Sequence, residues 1–218
     1  MKFDYIIIGA GSAGCVLSNR LSENQNNKIA VFEAGGSSDI WKVKMPLALL
    51  YTMHDPKYNW KYYSEPEPHL NNRRLFCPRG KMIGGCSAHN GMVFVRGNKN
   101  DYERWENFGL KSWSYQKILP YFKKIENWSG GENQYRGSFG PLPINQSKND
   151  NPLFKAFLNA ASEAGHINNP DMNGEYQEGF GMFDTTIHNG ERASATKYYL
   201  NPAKSRKNLS IFSNSFVE

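Results

Sequence analysis

The run Ile6-Ile7-Ile8-Gly9-Ala10-Gly11-Ser12-Ala13-Gly14 restricts the fold of this chain more than any other stretch. Gly9, Gly11 and Gly14 have the G-x-G-x-x-G spacing. An apolar run beginning at Tyr5 precedes them, and Ala13 to Leu17 read as the start of a helix. That order builds a strand, a tight turn and a helix whose N-terminus receives a phosphate. Gly9 permits the turn, Gly11 lets backbone approach a pyrophosphate, and Gly14 lets the helix lie close to the strand. A second apolar run, Ile29 to Phe32, ends on Glu33, about 20 residues further on, where a carboxylate can accept from ribose hydroxyls. The pattern predicts a strand over 3–9, a helix over 12–24 and a strand over 28–33. The first strand is expected to be buried and parallel to its neighbour, opening a doubly wound α/β sheet.

A chain of 218 residues can bury a sizeable core in one or two domains. Its net charge of +6 is spread along the sequence. Lys123-Lys124 is too short a run to make a nucleic-acid patch, so no nucleic-acid partner is expected. Cys15, Cys77 and Cys86 have no metal-ligand spacing. An odd, scattered set of cysteines is expected to stay reduced in a cytoplasmic setting, with no metal site. No apolar stretch approaches the roughly 20 residues of a membrane span, which leaves only peripheral membrane contact open.

Residues 34–78 lack a clear period and are rich in Pro, Tyr, Trp and Asn, as expected of a functional loop. Helices are predicted over 101–108 and over 114–127, the second with Ser114 as N-cap. Residues 129–150 read as loop. Asn151 as N-cap and Pro152 at N1 start a helix with an apolar stripe of Leu153, Phe154, Phe157, Leu158 and Ala161. A strand over 180–187, a short helix over 193–200 stopped by Pro202, and a strand at Leu209-Ser-Ile-Phe complete the reading. Residues 78–98, PRGKMIGGCSAHNGMVFVRGN, form a second glycine-rich segment. Its small residues fit a place where backbone meets a ligand, and Arg79 and Lys81 suit either phosphates or solvent.

Four segments in order, GAGSAG with Glu33-Ala34-Gly35, DPKYNWKYYSEPEPHL, RGKMIGGCSAHNGMVFVRGNKNDYERW and ERASATKYYLNPAKSRKNLSIFS, span nearly the whole chain. Together they resemble the glucose–methanol–choline (GMC) oxidoreductases, and most nearly the choline and alcohol dehydrogenase-like members. The resemblance implies an FAD-binding Rossmann-like domain over 1–150, with a flavin-covering loop at about 34–78. It implies the start of an α+β substrate domain over 151–190, and a truncated return to the FAD domain over 191–218. FAD would accept hydride from the Cα of a small alcohol, choline or a primary alcohol, leaving an aldehyde, and pass the electrons on to an acceptor the sequence does not name. Gly9, Gly11, Ser12, Ala13 and Gly14 would hold the pyrophosphate, and Glu33 with Ala34 the adenosine ribose. Met82, Asn90, Gly91, Met92 and Val93 would lie along the ribityl and ring portion. The backbone of Val217, in a strand near the chain end, would meet the adenine. Simple core packing is the competing role for Met82 and Val93.

His89 stands where most members carry an aliphatic residue. It would either bond covalently to the flavin or lie unbonded beside it. The family's proton-accepting His falls beyond residue 218, so no catalytic residue is assigned. The expectation is an N-terminal fragment without turnover of its own. The competing readings are a short NAD-binding dehydrogenase module, which Glu33 suits equally, and a non-catalytic flavin-binding remnant.

Overall fold

The computed structural model describes residues 2–218, which divide into two compact units: 2–92 with 189–218, and 93–188. The sequence reading placed a divide near residue 150. By backbone packing it falls at Val93, and the buried Arg136–Asp184 pair at 2.7 Å lies wholly within the second unit.

The first unit is built on the predicted strand–turn–helix. β1 (Tyr5–Ile8) leads to α1 (Ser12–Leu21) and then to β2 (Ile29–Phe32). Both strands pair in parallel, Tyr5 opposite Ile29 and Ile8 opposite Phe32. The strand Leu209–Phe212 closes the other side of β2, also parallel, with Phe212 opposite Phe32 and their rings stacked at 4.9 Å. β2 is therefore the central strand, and Ile29, Ala30 and Val31 are wholly buried. β1 departs from the expectation of a buried strand: Ile7 is buried, whereas Ile6 and Ile8 are 63% and 69% exposed. Side chains alternate between the two faces of a strand, so Ile6 and Ile8 share the face opposite Ile7, and that face of β1 is left open among the described residues. Asn208 fastens the closing strand by donating through Nδ2 to the carbonyls of Ser22, Asn24 and Asn27.

Residues 34–78 are more ordered than the composition suggests. Short helical turns at Trp41–Lys44, Pro46–Ala48 and Leu49–His54 precede a two-residue antiparallel pairing of Tyr62–Tyr63 with Phe76–Cys77. Val43 from the first turn joins Met82 and Ala88 in a small buried cluster, flanked by Ile40 and Tyr58. The helix predicted over 193–200 is a π-helical turn, Thr196–Leu200, and it runs on into Asn201–Ala203. Pro202 does not stop it: the helical run continues through it to Ala203, with the wider π-helical turn immediately ahead of it.

In the second unit the helices Lys99–Asn107, Tyr115–Ile125 and Pro152–Glu163 appear near their predicted places. Asn151 caps the last by accepting from the Leu153 N–H at 2.9 Å. Ser114 occupies the N-cap position in extended backbone, but its side chain makes no capping bond. Residues 142–144, expected as loop, form a strand parallel to Glu126–Trp128. The strand predicted over 180–187 is reduced to Asp184–Thr185 and Ile187–His188. The core here is ionic. Arg136 is fully buried, with its guanidinium on Glu126 at 2.8 Å, Asp184 at 2.7 Å and Asp171 at 2.6 Å, and 4.1 Å from the centre of the Trp128 ring. Arg96 adds a second cation on Glu126.

Candidate functional site

The two glycine motifs meet in the first unit. Gly9 has φ +90°, the left-handed region that glycine tolerates and other residues resist. Its N–H donates to the Phe32 carbonyl at 2.7 Å, so the turn begins directly at the end of the sheet. Gly11 is the N-cap of α1, with no side-chain cap and open space where a Cβ would lie. A Cβ on Gly14 would fall 2.0 Å from the Gly9 carbonyl oxygen, so the helix rests on the turn itself. Ser12, Ala13 and Gly14 form the first turn of α1, whose N–H groups find no partner within the helix.

The second motif packs against this turn. Gly84 N–H donates to the Ala10 carbonyl at 2.6 Å, and a Cβ on Gly85 would lie 2.8 Å from the Gly11 Cα. Gly35 is equally confined, with the Lys81 carbonyl oxygen 2.1 Å from where its Cβ would be. Three segments, 9–14, 33–36 and 80–85, are thus held at backbone contact. Only residues without side chains allow that.

Glu33 is buried at the end of β2. One carboxylate oxygen accepts from the Ala10 N–H at 2.9 Å and the other from the Gly35 N–H at 2.8 Å. These bonds lock its orientation and leave each oxygen a second lone pair. It lines a cavity of about 260 Å³ together with Gly9, Gly11, Ala34, Trp60, Gly85, Phe216 and Val217. Val217 reaches the cavity from irregular backbone, because the last strand ends at Phe212. The Ser215 N–H donates to the Glu33 carbonyl and the Asn214 N–H to the Gly35 carbonyl, bringing the 213–217 segment alongside. Sequence reasoning missed Trp60 and Phe216 as cavity walls. They lie 6.1 Å apart, and the Lys81 ammonium caps Trp60 at 4.9 Å. The Trp60 signal was present in the DPKYNWK stretch, but nothing in it pointed to Phe216.

Beyond Gly85 the predicted residues divide. The Met82 side chain is fully buried in the cluster with Val43 and Ala88, the packing role left open above. Asn90 and Gly91 are exposed, and Met92 is buried with φ 60°. Val93 opens the second unit, pairing with Thr185. His89 is 4% exposed, and its Nδ1 is buried without a partner. Burial, and then the Arg192 and Arg79 guanidinium groups, hold its imidazole below the usual value near 6.5. The unfolded chain therefore takes up this proton first as pH falls. The stability that neutral His89 carries is complete above about pH 6.5 and is lost as pH drops toward the lowered folded value. Melting temperatures taken at about pH 7.5 and pH 5 should fall less for His89→Gln than for the parent. Burial pushes the Cys15 thiol in α1 up to about 12, which disfavours the reactive thiolate.

A parallel sheet with a glycine turn, a helix start and a buried acid at its carboxyl end defines a dinucleotide-binding α/β protein. The chain belongs to the GMC oxidoreductases, whose family model matches residues 3–218. It is 50% identical over 211 residues to the oxygen-dependent choline dehydrogenase of Rhizobium etli, covering 97% of this chain and 38% of that protein. It is 48% identical to that of Staphylococcus saprophyticus, covering 99% and 40%. Among solved structures it superposes on pyridoxine 4-oxidase from "Mesorbium loti" with a TM-score of 0.91 and 30% identity, covering 98% of this chain and 42% of that one. A formate oxidase from Aspergillus oryzae gives 0.82 at 27% identity, covering 97% and 38%. The chain spans about two fifths of the length of the curated relatives it matches. No helix among the described residues is long and apolar enough to cross a membrane.

Proposed function

We propose that these residues form the FAD-holding part of an enzyme that oxidises a small alcohol, choline or a primary alcohol, to an aldehyde. Bound FAD supplies the hydride acceptor. The protein's part is to bind and orient it. Gly11 and the first turn of α1 take the pyrophosphate and Glu33 the adenosine ribose. Ala34, Val217, Trp60 and Phe216 enclose the adenine, and Asn90, Gly91 and Met92 face the ring system. The observation that carries this reading is Glu33, buried and locked by two backbone N–H groups at the rim of a cavity shared by both glycine motifs.

Thermal melting with each dinucleotide tests it. FAD is expected to raise the melting temperature and NAD to leave it unchanged. A shift with NAD alone would instead support the nicotinamide reading. Glu33→Gln replaces one acceptor oxygen with a donor facing backbone N–H groups, and should weaken FAD binding about tenfold or more by fluorescence titration.

A second reading concerns His89. A neutral, buried imidazole with an unpartnered nitrogen suits a covalent flavin bond. Acid precipitation of the FAD-loaded protein is then expected to leave yellow colour on the polypeptide, and His89→Ala to release all of it. Complete release from the parent protein would establish the unbonded form.

A further inference from the structure

The loop 89–92 is gripped by a residue 102 positions further along the chain. Arg192 is 2% exposed, and no carboxylate among the described residues pairs with it. Its Nη1 donates to both the Asn90 backbone carbonyl at 2.7 Å and the Asn90 Oδ1 at 2.9 Å. Its Nε donates to the Val43 carbonyl at 3.1 Å, which ties the grip to the Val43–Met82–Ala88 cluster. The next residues reinforce it. Ala195 N–H donates to Ser87 Oγ at 3.0 Å, and Ser87 Oγ donates in turn to the Gly84 carbonyl. Thr196 Oγ1 occupies the place a Cβ on Gly84 would need.

A guanidinium has donors and no acceptor. It can therefore bind only the oxygen end of an asparagine amide. The Met92 N–H, donating to the same Oδ1 at 3.1 Å, makes the same selection from the other side. With Oδ1 held twice, the Asn90 NH₂ is the polar end that points away from the grip, and Asn90 is exposed. Burying a guanidinium without a counter-charge is costly, and a loop that needed only its shape fixed would not require one.

We propose that Arg192 is a positioning residue that fixes the Asn90 amide so that its NH₂ presents a hydrogen-bond donor to an acceptor atom on the edge of the flavin ring. The proposal rests on the FAD reading above and adds a residue to it.

The test compares the flavin-loaded parent protein with R192M, R192K and N90D. FAD affinity is followed by titration and visible circular dichroism. Amide hydrogen exchange at 90–92 is measured without FAD. R192M is expected to speed exchange at 90–92 and weaken FAD binding about tenfold or more. N90D keeps two acceptor oxygens for Arg192, so exchange should stay slow, yet FAD should weaken as in R192M because the outward donor is gone. R192K retains the charge with a single-point grip and should fall between parent and R192M. If R192M fails to fold, R192K carries the comparison. FAD affinity equal to the parent in N90D, or in a folded Arg192 variant, overturns the proposal. A purely structural Arg192 would change exchange and leave the affinity of N90D alone. If the parent binds no FAD, the functional reading itself fails, whereas parent binding with unaffected variants defeats only this inference.

Discussion

Arg136→Met is expected to remove about 3–5 kcal/mol of unfolding free energy, measured by denaturant titration, the largest single loss of any substitution in the second unit. Arg136 is fully buried, as is Glu126, and the Asp184 side chain is only 8% exposed. Three carboxylates converge on one guanidinium, and methionine would match its bulk but none of its donors. Two acids would then lie in a low-dielectric core, with Arg96 left to balance Glu126 alone. The Trp128 ring would also lose the cation it faces. The loss should be non-additive. Removing Glu126 and Arg136 together should cost less than the sum of the single changes, because each single change strands the other's charge. Equal and additive losses would mean that the cluster acts only as packing volume.

That cluster could not be read from the sequence, and the reason is physical. Arg96, Glu126, Arg136, Asp171 and Asp184 are far apart, and each alone resembles an ordinary surface charge. Only the packing of the second unit makes them a core. The same holds for Arg192, which falls just ahead of the predicted 193–200 helix with nothing to mark it, and for Phe216, which no local pattern marks. The glycine turn was legible for the opposite reason. Its requirements, a left-handed Gly9, an open Gly11 and a close-packed Gly14, are local and leave only glycine acceptable. The helix at Pro152 was legible because its cap is chemical and adjacent. The strand Leu142–Ile144 was hidden, since three residues with a central proline carry no period and are defined by their partner. β1 was recognised as a strand but misjudged in burial. Burial of a strand depends on neighbours that its own sequence does not contain.

Gly14→Ala and Gly11→Ala should separate the fold-building and ligand-binding roles of the fingerprint. At Gly14 the added methyl would sit 2.0 Å from the Gly9 oxygen and 3.4 Å from Ile7 Cγ2. The obstacle is backbone, which no rotamer change relieves, so α1 must lift away from β1. Overpacking of this kind costs about 1–3 kcal/mol, and the melting temperature should drop accordingly without any ligand. The displaced helix start would also carry its N–H groups away from the pyrophosphate. Charge-assisted hydrogen bonds of about 1.5–3 kcal/mol each are lost, so FAD affinity should fall by about a hundredfold. At Gly11 the backbone has φ −73°, which any residue adopts, and a Cβ meets nothing within 4 Å. The unliganded protein should therefore melt within about 1 kcal/mol of the parent, as substitutions without a named structural cost do. FAD affinity should nonetheless drop, because the methyl enters the space the pyrophosphate needs. If Gly11→Ala binds FAD as the parent does, the pyrophosphate does not approach that backbone and the orientation proposed for the dinucleotide is wrong. If Gly14→Ala melts like the parent, the contact between helix and turn is looser than the 2.0 Å approach requires.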